Sequence, residues 1–310
     1  NTKYSASTEV PELIYYGDVD GSGKMNLVEA KFDRGLNCLL PRRGLSCSSL
    51  AMPKLLQKVN TYEGWASSTL DQIYEKARLE SALKLEATTL ESAVLLNDGE
   101  GHFTVQPLPV LAQISPAFGI ALTDFDGDGY SDAVLAQNFF SPQQETGPYD
   151  GGLGLLLKGG PGKGDSLEPV WPGESGIVVP GDAKSLAVTD FGSDGRPDLF
   201  FGMNNAAPVI LINESEEGGA PLVIALDGKP GNPTAIGAKV TVAVPGLPEQ
   251  TAEIAAGSGY LTQSTPELFF GWGRNPEIVS ATVKVRWPDG SELKQEIKRG
   301  EDPVHRFSME

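Results

Sequence analysis

The chain has 310 residues, 41 of them acidic and 24 basic, which leaves a net charge of -17. That balance repels phosphate backbones and anionic membrane surfaces, so it argues against a nucleic-acid partner. With 37 glycines and 23 prolines the chain has many turns and few long helices, as an all-β protein does, and its length is comfortable for two domains. No apolar run approaches the roughly 18 residues of a membrane-spanning helix.

In chain order, the first informative segment is Asp18-Val-Asp20-Gly-Ser22-Gly23-Lys24-Met-Asn26. Cys38 and Cys47 follow, spaced closely enough to be bridged by a disulfide in an oxidising compartment or to remain two thiols. From Pro53 to Glu91 the texture changes. Thr69 ahead of Leu70, Ile73, Tyr74 and Ala77 gives a polar cap and then apolar spacing of i, i+3, i+4 and i+7, with Leu79, Leu83 and Leu90 as a second face. This reads as a helical insertion. Ser92–Phe103 is a strand running into an Asp-Gly turn.

Two further loops repeat the first pattern. Gly119–Thr123 leads as a strand into Asp124-Phe-Asp126-Gly-Asp128-Gly129-Tyr130-Ser-Asp132, and Ser185–Thr189 leads into Asp190-Phe-Gly192-Ser-Asp194-Gly195-Arg196-Pro-Asp198. Each continues into an apolar strand, and Gly152–Gly160 and Val209–Asn213 are later strands of the same repeats. The last two loops start 66 residues apart, a spacing that suits one decorated blade of a β-propeller; the first two start 106 apart, and the excess of about 40 matches the insertion. Glu214–Pro221 reads as a linker. Beyond it, Ala238–Val244, Thr251–Ala255, Ala281–Trp287 and Glu292–Ile297 alternate as short strands of a smaller β domain. The expected architecture is all-β: propeller blades over 1–217, an incomplete ring, then a small sandwich-like domain over 218–310.

All three loops carry oxygen donors at positions 1, 5 and 9 with glycine at position 6, and the first two carry one at position 3 as well. Calcium takes six to eight oxygens at about 2.3 to 2.6 Å, and a tight turn can converge short side chains and a carbonyl on one ion. Asp and Gly also favour turns for local reasons, but three loops with one internal spacing point to a shared ligand. The Asp124 loop has four carboxylates and ranks first. The Asp190 loop has Gly192 at position 3, and the Asp18 loop has neutral Ser22 and Asn26, which lowers ligand charge. Glu29 stands at position 12 of the first loop, where an EF-hand places its bidentate glutamate, but Leu135 and Phe201 stand there in the other two, so Glu29 reads as a strand residue.

The DFDGDGYSD loop in its strand-loop-strand setting resembles the FG-GAP or VCBS repeat of integrin-α-like propellers. The run Gly231-Asn-Pro-Thr-Ala-Ile236-Gly237-Ala238, then Ala256-Gly257-Ser258-Gly259-Tyr260, Phe270-Gly271 and Val285-Arg-Trp287-Pro288-Asp289-Gly290, resembles the ASPIC/UnbV domain of secreted proteins related to cartilage acidic protein. The resemblance implies a calcium-stabilised extracellular, periplasmic or cell-surface binding or adhesion module without catalytic chemistry. It implies two to three ions, held by Asp124, Asp126, Asp128, Tyr130 and Asp132; by Asp190, Asp194, Arg196 and Asp198; and by Asp18, Asp20, Ser22, Lys24 and Asn26, position 7 acting through its carbonyl. About three blades are visible where a closed propeller has four to eight, so either further blades lie upstream of Asn1 or the chain carries an open arc; the chain opens without Met, as a piece of a longer precursor with a signal peptide would.

No nucleophile elbow, phosphate-binding loop or dinucleotide fingerprint occurs, and His102 and His305 do not suggest a zinc site. The function expected is therefore binding of an extracellular protein or glycan. The alternative is a polysaccharide hydrolase or lyase that uses paired carboxylates. Trp65, Trp171, Trp272 and Tyr149 are the candidate contact aromatics, and Asn213-Glu-Ser215 is a formal glycosylation sequon.

Overall fold

The structure, a computed structural model, describes residues 4–142, 146–161, 166–215, 218–300 and 302–309. The chain divides into two compact units, one up to Glu91 and one over Ser92–Glu310.

In the first unit, strands β1 (Glu12–Gly17), β2 (Asn26–Asp33) and β3 (Cys38–Pro41) form an antiparallel meander. Helices α1 (Leu45–Ala51), α2 (Tyr62–Ala66), α3 (Leu70–Tyr74) and α4 (Lys76–Ser81) follow, and β4 (Leu83–Ala87) returns to the free edge of β1. Period-2 alternation sets the sheet faces. Leu13, Tyr15, Val28 and Ala30 turn inward against Trp65, Leu70, Ile73, Tyr74 and Leu79, while Ile14, Tyr16, Leu27, Leu83 and Leu85 remain exposed.

The insertion thus starts earlier and ends sooner than its sequence suggests. Thr69 makes a full capping box with Gln72, as the cap pattern requires. Glu75 then takes φ 64 and breaks the helix, so Ala77 points outward and the face resumes at Leu79. Leu83 is a strand residue, because an unpaired edge of β1 offers its backbone a ladder of hydrogen bonds that a further helical turn would forgo. Glu29 lies in β2 opposite Ile14 and accepts hydrogen bonds from Tyr4 and Arg43. Both cysteines are free.

The second unit opens with the hairpin β5 (Ala93–Asn97) and β6 (Phe103–Pro107). Strands β7 (Ala117–Thr123), β8 (Asp132–Gln137), β9 (Leu155–Lys158) and β10 (Glu168–Val170) make a four-stranded meander. After the short helix α5 (Pro172–Ser175), β11 (Ala183–Thr189), β12 (Asp198–Met203) and β13 (Val209–Leu211) make a three-stranded one. Every residue of β8 is buried, which explains its unbroken apolar reading apart from Asp132 and Gln137. No closed propeller is present among the described residues.

The remaining strands are β14 (Pro221–Asp227), β15 (Lys239–Ala243), β16 (Gln250–Glu253), β17 (Leu268–Gly271), β18 (Ser280–Arg286), β19 (Glu292–Lys298) and β20 (Val304–Ser308). They form two sheets, β17-β14-β20 and β16-β15-β18-β19, which share one core of Leu222, Ile224, Val240, Val283, Phe270 and Trp272 among others. In the first of these sheets β14 and β17 are buried on both faces. Their alternate residues Val223 and Phe269 join Phe125, Val134, Leu186 and Phe201 in the core of the two meanders. The acidic loops sit at the ends of β7 and β11, next to this shared sheet.

Candidate metal centre

All three acidic loops connect the first two strands of an antiparallel meander, and all three use one backbone trace. Positions 4 and 6 are left-handed in each: Gly21 (φ 69) and Gly23 (φ 80), Gly127 (φ 72) and Gly129 (φ 91), Ser193 (φ 56) and Gly195 (φ 82). Only glycine enters that region at no cost, so Ser193 is held there by the loop.

The second and third loops also share their hydrogen bonds. At position 1, Asp124 accepts the amides of Asp128 at 3.1 Å and Gly129 at 2.7 Å, and Asp190 accepts those of Asp194 at 3.2 Å and Gly195 at 2.8 Å. At position 5, Asp128 accepts the Tyr130 amide at 3.1 Å and Asp194 that of Arg196 at 2.9 Å. At position 9, Asp132 accepts Phe125 and Gly159, and Asp198 accepts Phe191 and Asn213. The carboxylates therefore brace the loop and leave remaining lone pairs for a ligand.

In the Asp124 loop this wiring concentrates charge. Oxygens of Asp124, Asp126 and Asp128 lie within 4.8 Å of one another, the one such metal-capable group among the described residues. Asp132 stays outside the triad, with its oxygens taken by two amides. Asp124, Asp128 and Asp132 are each about 5% exposed or less. Burial, with the neighbouring carboxylates adding to it, pushes Asp124 up to about 8; burial likewise pushes Asp132 up to about 7 and raises Asp128 above its ordinary range. Two cations answer this charge. Lys158 contacts Asp126 and stands 3.9 Å from Asp128, and the Arg274 guanidinium stands 3.2 Å from Asp126 and 3.5 Å from Asp128.

The donor set fits a hard divalent cation. All its donors are oxygen, and once all four carboxylates are ionised, Asp132 included, two cations leave an imbalance of two charges that a divalent ion would meet. The site is also cradled: a Cβ on Gly271 would stand 2.3 Å from Oδ2 of Asp124.

The other loops bring their residues together less fully. Asp190, Asp194 and Asp198 keep the bracing bonds without the converged group, and around Gly192 a Cβ would find its nearest atom, Cγ of Asp194, 3.7 Å away. In the first loop Asp20 accepts the Ser22 amide and hydroxyl, and the Asn26 side chain donates to the Lys24 carbonyl at 3.2 Å, the oxygen that sequence assigns to an ion. Arg78 lies 3.7 Å from Asp18, and Lys54 donates to the Gly21 carbonyl at 2.6 Å. One oxygen of Asp18 is buried without a hydrogen bond, the feature of this loop that calls for a cation.

Sequence reasoning missed Lys158, Arg274 and Arg78. Nothing local marks them, since each reaches its loop from a distant element. It also offered four aromatics for ligand contact; Trp65 and Trp272 are core residues, Tyr149 is half-buried and Trp171 is 61% exposed. Asn213 of the sequon is a brace: its side chain donates to the Phe125 carbonyl at 2.7 Å, tying the second and third loops together.

The geometry defines a class: an all-β protein with repeated acidic hairpin loops and a C-terminal two-sheet domain. Comparison with known proteins gives that class more specific relatives. The family described as ASPIC and UnbV matches residues 228–300. Cartilage acidic protein 1 of Homo sapiens is 29% identical over 140 residues, which is 44% of this chain and 19% of the relative. Its Mus musculus counterpart is 29% identical over 136 residues, or 43% and 19%. The match spans about a fifth of the length of these relatives. Residues 228–300 thus match the ASPIC and UnbV family, and under half of the chain is distantly similar to cartilage acidic protein 1.

Proposed function

We propose that this chain is a calcium-stabilised, non-catalytic extracellular binding module whose acidic loops are FG-GAP-type repeats of an incomplete propeller. One observation carries the reading: three loops share left-handed positions 4 and 6, and the central one gathers three carboxyl groups within 4.8 Å, beside a fourth, with only two cationic side chains to pair them. Relatives named for cartilage support a place outside the cell. The partner is a protein or glycan that meets the loop surfaces, with exposed Trp171 as one contact.

Extracellular calcium modules bind with Kd of about 10⁻⁴ to 10⁻³ M. At millimolar calcium each filled loop then stabilises the fold by about 0.5 to 1.5 kcal/mol through mass action. The test is thermal unfolding in calcium chloride and in EDTA, for the natural chain and for Asp128→Ala. Calcium should raise the melting temperature of the natural chain, and Asp128→Ala should lose most of that shift. A melt indifferent to calcium in both proteins refutes the calcium role.

A further inference from the structure

The Asp124 loop is built as much by the C-terminal domain as by its own strands. Two successive loop carbonyls, of Asp126 and Gly127, accept the amides of Gly219 and Gly273 at 2.8 and 2.9 Å. The Thr123 hydroxyl, just ahead of the loop, donates to the Phe269 carbonyl at 3.0 Å. Arg274 adds its guanidinium to Asp126 and Asp128. The approach is close: a Cβ on Gly219 would stand 1.8 Å from the Gly127 backbone oxygen, and one on Gly129 would stand 2.3 Å from a side-chain methyl of Leu247. Leu247, Gly271, Gly273 and Arg274 all belong to the stretch matched as ASPIC and UnbV. The Asp190 loop meets the same domain differently, with Gly195 set against the side chains of Pro303 and Pro221.

We infer that the Asp124 loop is a cation-dependent clasp that fastens the C-terminal domain to the β7–β10 meander, an inference that rests on the calcium reading above. The carbonyls that hold the domain belong to positions 3 and 4, between the carboxylates of positions 1 and 5. They cannot move without moving those ligands. A cation that draws Asp124, Asp126 and Asp128 together fixes both carbonyls where Gly219 and Gly273 meet them, whereas without a cation nothing attracts the three carboxyl groups to one point and both bonds weaken. Linkage makes the effect reciprocal: a docked domain must raise the affinity of the loop for calcium by the factor by which calcium favours docking.

Hydrogen exchange of the full chain, in calcium chloride and in EDTA, tests this directly. Calcium should slow exchange in the loop, 124–132, and to a comparable degree in segments 218–222 and 269–274. Protection confined to 124–132 overturns the clasp and leaves the calcium site standing; no calcium binding by calorimetry removes both. Leu247→Ala supplies the reciprocal measurement, since it changes no ligand and no charge. Calcium affinity should fall by on the order of threefold or more, and an affinity equal to that of the natural chain overturns the clasp.

Discussion

The Asp124 and Asp18 loops start from the same nine-residue pattern and the same left-handed positions, yet their surroundings give them different chemistry. The Asp124 loop is roofed by Gly219 and Gly271–Gly273, so three of its carboxylates are buried and burial raises their proton affinity. The Asp18 loop is largely exposed; Arg78 and Lys54 reach into it, and Asn26 occupies its own position-7 carbonyl. A shared motif therefore specifies a loop shape, while packing over the loop decides how much charge it concentrates.

The strongest way to break this comparison is to lift the roof. Gly219→Ala places a methyl against the Gly127 carbonyl where a Cβ would stand 1.8 Å away, and it should destabilise the protein by about 3 kcal/mol in chemical denaturation. Gly23→Ala in the first loop meets open space and strains only its left-handed φ of 80, for a cost of about 1 kcal/mol. Equal losses in the two variants contradict the proposed difference.

Proton linkage gives an effect of intermediate size. Asp124 and Asp132 have folded values near 8 and 7, above the ordinary 3.8, so the calcium-free fold holds protons that the unfolded chain has already released. Stability from these groups is complete below about pH 4 and is lost as pH rises through 7 to 8. In EDTA the contribution of the loop to the melting temperature should therefore rise as pH falls from 8 to 5, and Asp124→Asn should flatten that trend. In calcium the trend should weaken, because protons and calcium compete for the same oxygens. A trend of the same slope in Asp124→Asn assigns the pH dependence elsewhere.

The smallest expected effect sharpens the ranking among loops. Gly192→Asp restores the position-3 carboxylate in space that holds no atom within 3.4 Å, so calorimetry should show tighter calcium binding at the third loop, on the order of tenfold. No gain would mean that bracing of the loop, rather than ligand count, limits its affinity.

Much of the fold is legible from local pattern. The alternation in Ala281–Arg286, the apolar run of β8 and the polar cap at Thr69 each reflect forces acting within a few residues. The strand at Leu83–Ala87 was not legible, because its partner β1 lies about 70 residues earlier and its own sequence suits a helix equally well. The double burial of β14 was similarly hidden: Leu222 and Val223 read as one apolar run, and only the two neighbouring cores reveal why both faces are apolar.

The sequence by itself determined three hairpin loops of one shape, because the spacing of Asp and Gly encodes left-handed turns and amide-accepting carboxylates within nine residues. Tertiary structure alone decided which loop became a dense anionic centre. That choice depends on desolvation and on counter-charges from Lys158 and Arg274, which lie 32 and 148 residues from the Asp126 they meet and whose approach no local pattern records.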